Sequence, residues 1–123
     1  APEVTFWGSG RQRRQFLYVE DLAAVAIEVM RSSAFMLWAP LLNVAGEPAR
    51  PLAEVAQVVA EVVGYPGRIR WDGTRPEGAL AKEILGRRMP AFMPTPLRDG
   101  LKRTYDWYLT RLAANLPAWA KSP

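Results

Sequence analysis

Residues Val4–Ala23 read VTFWGSGRQRRQFLYVEDLA, and this stretch limits the fold more than any other. Val4, Thr5, Phe6 and Trp7 are β-branched or aromatic residues that suit a pleated, half-buried strand. Gly8-Ser9-Gly10 then makes a turn, since glycine enters positive φ at little steric cost. An arginine cluster follows at Arg11, Arg13 and Arg14, and after it a second apolar run, Phe16-Leu17-Tyr18-Val19. Glu20-Asp21 opens a helix, with Asp21 expected to cap it or to charge its first turn. We therefore expect strands at about Val4–Trp7 and Gln15–Tyr18, followed by a helix at about Asp21–Arg31. In that helix Leu22, Val25, Ala26, Val29 and Met30 fall at helical spacing, and Ser32-Ser33 ends it.

Farther along, Ala34–Pro40 is expected to be an apolar loop packed inward, and Leu41–Ala45 a buried strand. Gly46-Glu47-Pro48 reads as a turn, and Pro51 sits at the first position of a helix, where proline is tolerated. That helix spans about Leu52–Val63. Valine is a modest helix former, but Leu52, Val55, Val58, Val59, Val62 and Val63 recur on one face, so period outweighs propensity. Gly64 stops the helix. A strand at Arg68–Trp71 follows, with Ile69 and Trp71 on a shared face. Asp72–Pro96 is rich in proline and glycine, with a short helix expected at Ala79–Leu85. Thr95-Pro96 signals the start of a helix over about Leu97–Leu112, whose inner stripe is Leu97, Leu101, Tyr105, Tyr108 and Leu112. Asp99 and Arg103, four apart, form a favourable acid-then-base pair. The expected organisation is one domain over 1–112 and a frayed tail over 113–123. The alternation of strands and about three main helices predicts an α/β or α+β class with a partial sheet of short strands.

The order of these motifs resembles the substrate-side, C-terminal part of the extended short-chain dehydrogenase/reductases, the NAD-dependent epimerase/dehydratase family. Within that family it is most similar to the GDP-L-fucose synthase group. The resemblance is carried by Val4–Ala23, Leu42-Asn43-Val44, Val62–Arg68, Arg75-Pro76-Glu77-Gly78, and Gly100–Tyr108. It implies an NADP-dependent epimerase-reductase as the whole, with the cofactor half outside this stretch, so no cofactor is expected on this chain. It also implies that Trp7 and Arg14 line a nucleotide-sugar pocket and that Lys82 helps to hold the nucleotide. Around Lys82 the family's Asp-Gly-Thr-Pro-Arg-Lys motif reads Glu77-Gly78-Ala79-Leu80-Ala81-Lys82, so its arginine and loop-shaping residues are replaced. The Leu41–Ala45 strand would join the cofactor sheet of the intact fold.

The residues themselves narrow the chemistry further. Gly8-Ser9-Gly10 lacks the third glycine of a dinucleotide fingerprint, and a strand-like run rather than a helix follows it. No tyrosine has a lysine four residues on, so the family's Tyr-x-x-x-Lys proton donor is not formed here. The chain holds no histidine and no cysteine, which excludes Ser-His and Cys-His nucleophiles and zinc sites built on sulfur or imidazole. No catalytic residue and no metal ligand is assigned, and the isolated chain is expected to be inactive. Half of the 123 residues are apolar and 23% charged, an ordinary globular balance. The net charge of +4 mildly favours anionic partners. No apolar run approaches a membrane span, and no basic-then-apolar leader is seen, so a cytoplasmic protein without membrane association is expected. The five tryptophans are expected mainly as core anchors.

Three functions compete. The first is a nucleotide-sugar-binding subdomain, inert alone or completed by a cofactor-domain partner chain. The second is a self-associating structural module, a homodimer or larger, that keeps only the fold. The third is nucleic-acid binding through Arg11, Arg13, Arg14, Arg87 and Arg88. It ranks last, because these residues are dispersed and no recognised motif accompanies them.

Overall fold

The computed structural model describes residues 2–32, 41–87 and 89–115. Among the described residues the chain is a mixed α/β fold of short strands and three main helices. Strand β1, Glu3–Trp7, pairs in parallel with β4, Arg68–Asp72, in the register Glu3↔Arg68 to Trp7↔Asp72. Alternation turns Val4, Phe6, Ile69 and Trp71 to the same face, where Phe6 stacks on Trp71 with ring centroids 5.2 Å apart. Helix α2, Leu52–Val63, lies over that face. A second, smaller sheet has β2, Arg13–Arg14, at its centre. It is antiparallel to β3, Arg50–Pro51, and parallel to β5, Ala81–Lys82.

The turn that joins β1 to β2 also starts α2. Its carbonyls at Gly10 and Gln12 accept the amides of Ala53 (2.9 Å) and Leu52 (2.8 Å), two of the amides a helix start leaves unpaired. Pro51 is therefore not the first helical residue. It is the N-cap, in an extended conformation at φ −58° and ψ 139°, and its missing N–H costs nothing there. At the other end Gly64 takes φ +68°. The Tyr65 amide bonds back to the Ala60 carbonyl (2.8 Å) and the Gly64 amide to that of Glu61 (3.3 Å), which closes a Schellman cap.

Helix α1, Val19–Arg31, begins two residues before Asp21. Asp21 does lie in its charged first turn, with Glu20, but does not cap it. The Asp21 carboxylate accepts the Thr95 amide (2.7 Å) and the Thr95 hydroxyl (2.8 Å), just ahead of helix α3, Leu97–Asn115. Glu47 accepts the Leu97 amide (2.9 Å), so two distant carboxylates hold the start of α3. The expected stripe on α3 holds for its first half: Leu97, Leu101 and Tyr105 are half-buried, whereas Tyr108 and Leu112 are exposed. Asp99 and Arg103 do not pair. Arg103 lies 3.9 Å from Glu20 of α1, and Lys102 pairs with Asp106 instead.

Three other local expectations are corrected. Gln15–Tyr18 is not a strand, because the ladder forms two residues earlier at Arg13–Arg14. Gln15 continues the contact through its side chain, accepting the Ile84 amide (2.9 Å) and donating to the Gly46 carbonyl (3.4 Å). Leu41–Ala45 is irregular, with Leu41 73% exposed and only Ala45 buried. No strand pairs with it among the described residues, and the Ala45 amide meets the Met89 sulfur at 3.5 Å, a weak acceptor. The Ala79–Leu85 segment contains β5 rather than a helix, because the Arg13 amide takes the Leu80 carbonyl (2.7 Å) and draws the segment into the sheet. Ala34–Pro40 lies outside the described residues.

Full burial of apolar side chains is confined, among the described residues, to Val25, Ala45, Ala49 and Val55. The space between α2 and the β1–β4 pair is an open apolar groove of about 480 Å³, rather than a closed core.

Candidate functional site

Two chain segments run side by side: β1, its turn and β2 beside β4, its loop and β5. Both parallel pairs share the same order, so residues at the end of β1 meet residues just after β4, and residues in β2 meet those in β5. This topology creates an aromatic end and a cationic end.

Trp7 stands at the aromatic end and is 64% exposed. It is therefore not a core anchor, and exposed Trp107 departs from that expectation too. The Arg75 guanidinium lies 5.6 Å from the Trp7 ring centroid, within cation–π range. Arg75 is drawn there by Asp72 (3.5 Å), whose carboxylate also accepts the amide (3.0 Å) and hydroxyl (2.6 Å) of Thr74. These Thr74 bonds, and then the Arg75 charge, hold the Asp72 carboxyl below its ordinary range.

At the cationic end the register places Arg14 opposite Arg50 on one side and Lys82 on the other. Paired positions on adjacent strands point to the same face, so three cations form a row across the small sheet. Arg50 is neutralised by Glu54 (2.5 Å) and Glu47 (3.6 Å), and the Glu54 bond leads in raising its pKa. Arg14 and Lys82 make no ion pair among the described residues. Among the described residues the Arg14 guanidinium donates only to its neighbour's carbonyl, at Arg13 (2.8 Å). Both line a cleft of about 280 Å³ with Gln15, Val44 and Ile84. Two adjacent cations without carboxylate partners suit a diphosphate, which a guanidinium grips through two parallel hydrogen bonds and an ammonium attracts as a point charge. Arg13 faces away and ties β2 to the Ala49 carbonyl (2.5 Å).

Of the three residues expected to bind substrate, Arg14 and Lys82 are thus brought together, while Trp7 sits at the other end of the same paired segments. Sequence reasoning missed Arg75 and Glu77 as contributors. Their motif, Arg75-Pro76-Glu77-Gly78, was legible only as a family marker, since their partners lie 68 residues away in the chain.

The turn at Gly8–Gly10 does not fit the dinucleotide cofactor of the resembled family. A phosphate cradle needs free backbone amides at a helix start. Here the Gly8 amide bonds to the Asp72 carbonyl (2.9 Å), the Ser9 amide to Glu77 (2.8 Å) and the Arg11 amide to the Ser9 hydroxyl (3.3 Å). The strand β2 follows.

Comparisons with known proteins bear on the fold and the family likeness. A family model described as the NAD dependent epimerase/dehydratase family matches residues 1–45. GDP-L-fucose synthase 1 of Arabidopsis thaliana is 37% identical over 112 residues, covering 89% of this chain and 34% of the relative. GDP-L-fucose synthase of Escherichia coli (strain K12) is 38% identical over 119 residues, covering 89% and 37%. Among solved structures, a GDP-6-OMe-4-keto-L-xylo-heptose reductase from C. jejuni matches with a TM-score of 0.77 at 27% identity, over 89% of this chain and 34% of that one. The chain spans about a third of the length of the relatives it matches. Over this span the chain is similar to a part of the GDP-L-fucose synthases, as its motifs implied, and its fold matches a part of the heptose reductase's fold.

Proposed function

We propose that this chain is the nucleotide-sugar-binding part of an NAD(P)-dependent epimerase-reductase, taking a GDP-sugar-like ligand. Arg14 and Lys82 hold the diphosphate, and Trp7 covers the base or the sugar with its exposed ring. The observation that carries this reading is the Arg14↔Lys82 register, which sets two cations without carboxylate partners side by side in a cleft. The site is one-sided, and enclosing clefts bury most of a ligand, so the affinity of the chain alone is weak. On this reading the chain is inert by itself, and a cofactor-bearing unit completes the reaction.

Calorimetric titration of GDP and ADP into the wild type and Arg14→Ala tests it. Saturable GDP binding is expected, weakened in Arg14→Ala by about 2 kcal/mol, the scale of one lost charge-assisted contact. No heat with either nucleotide would leave the relationship one of fold only. A second reading, self-association without ligand, is favoured by the open apolar groove between α2 and the β1–β4 pair.

A further inference from the structure

Between the aromatic and cationic ends, the Glu77 side chain joins the two segments. The Glu77 Oε2 atom accepts both the Ser9 amide (2.8 Å) and the Ser9 hydroxyl (2.6 Å). Gln12 is only 2% exposed and donates to the Glu77 carbonyl (3.5 Å). Gly8, at φ +89°, has no room for a side chain, because a Cβ there would collide with the Gln12 amide and with Glu77. The Ser9 bonds, and then the Arg11 charge, keep the Glu77 carboxyl below its ordinary range, so it is ionised at neutral pH. Arg75 lies two residues before Glu77 and Lys82 five after it. Trp7 lies two residues before Ser9 and Arg14 five after it. Glu77 and Ser9 therefore occupy matching places in the paired segments, and their bond fixes each segment against the other.

We propose that Glu77 is a positioning residue: by clasping Ser9 it sets the spacing between the Trp7–Arg75 end and the Arg14–Lys82 end. This rests on the nucleotide-sugar reading above. A ligand that must reach both ends depends on the clasp, and a ligand held only by the cations does not. The ordering is done before binding, and a preorganised site loses less freedom when a ligand arrives.

The test is titration of GDP and of inorganic pyrophosphate into the wild type, Glu77→Ala and Glu77→Gln. In Glu77→Ala, GDP affinity falls about tenfold while pyrophosphate affinity stays within about twofold, because only the ligand that spans both ends loses its preset geometry. Glu77→Gln keeps a carbonyl oxygen able to accept both Ser9 bonds and recovers most of the GDP affinity. Should Glu77→Ala fail to fold by circular dichroism, Ser9→Ala removes only the hydroxyl bond and is expected to show a smaller loss with the same selectivity for GDP. Equal losses for the two ligands would mean that Glu77 merely supports the fold, and unchanged GDP affinity would mean that it positions nothing; either result overturns the proposal alone. A wild type that binds no GDP overturns both the proposal and the reading beneath it.

Discussion

Asp21 shows how one residue can be read correctly in place and wrongly in partner. An acidic residue at a helix start is favoured by the dipole whatever else it touches. In the folded chain the carboxylate reaches Thr95, 74 residues away, with two short bonds in a partly buried setting. A charge in a helix's first turn contributes about 0.3–1 kcal/mol, whereas bonds to an ionised group contribute about 1.5–3 kcal/mol. The larger effect decides the expectation: Asp21→Ala lowers stability by about 2 kcal/mol. Urea unfolding checks this, with a lower midpoint at unchanged slope. A loss of a few tenths would return Asp21 to a role on α1 alone. Trp7 teaches the complementary lesson. Tryptophan is usually well buried, and only the folded chain reveals that β1 ends beneath this ring and leaves it open beside Arg75. Ser9 and Glu77 carry no local signal at all, because neither residue type at its own position specifies a partner in the distant loop.

Elements with their own punctuation were legible, and elements made by distant pairing were not. Helix α2 spans Leu52–Val63 as its period and flanking residues predict. The reason is that its apolar period and its stop at Gly64 lie within the helix or one residue beyond it, even though distant carbonyls at Gly10 and Gln12 accept its first amides. Gly64 is the clearest of these. It adopts φ +68°, and a Cβ built there meets nothing within 4 Å, so a substitution is penalised by backbone conformation alone. Gly64→Ala is therefore expected to cost about 1 kcal/mol, the penalty of a left-handed conformation for an L-residue. Thermal unfolding measures it, and an unchanged midpoint would show that the cap rearranges freely. The two-residue strands behave differently. The apolar residues of Gln15–Tyr18 and of Leu41–Ala45 each suit a strand, yet a strand exists only where a neighbour supplies its ladder. Arg13–Arg14 has such neighbours on both sides, and Leu41–Ala45 has none among the described residues.

At the scale of the molecule, the apolar surface is arranged rather than scattered. Phe6, Trp7, Trp71, Val59 and Val63 border one groove, open where a closed core would hold side chains. Open apolar surface of this kind invites association, and we propose that two copies of the chain meet through it. Light scattering at high micromolar concentration is expected to give at least a dimer mass, and Val59→Asp, which places a charge in the groove, to shift it toward the monomer. A wild type that runs as a clean monomer under those conditions would remove this reading and leave the groove without a self-partner. No helix among the described residues is long and apolar enough to cross a membrane.

The parallel pairing of β1 with β4 has a kinetic side. Glu3 meets Arg68 and Trp7 meets Asp72, so neither the sheet nor the clasp exists until a chain loop of more than sixty residues has closed. Closing long loops costs entropy before any contact repays it, and such pairings slow folding. The local helices are free to form early, but the aromatic and cationic ends come into being together and late. Ligand-binding competence should therefore arise in a single step with the final native state, with no partly folded form that binds at reduced strength.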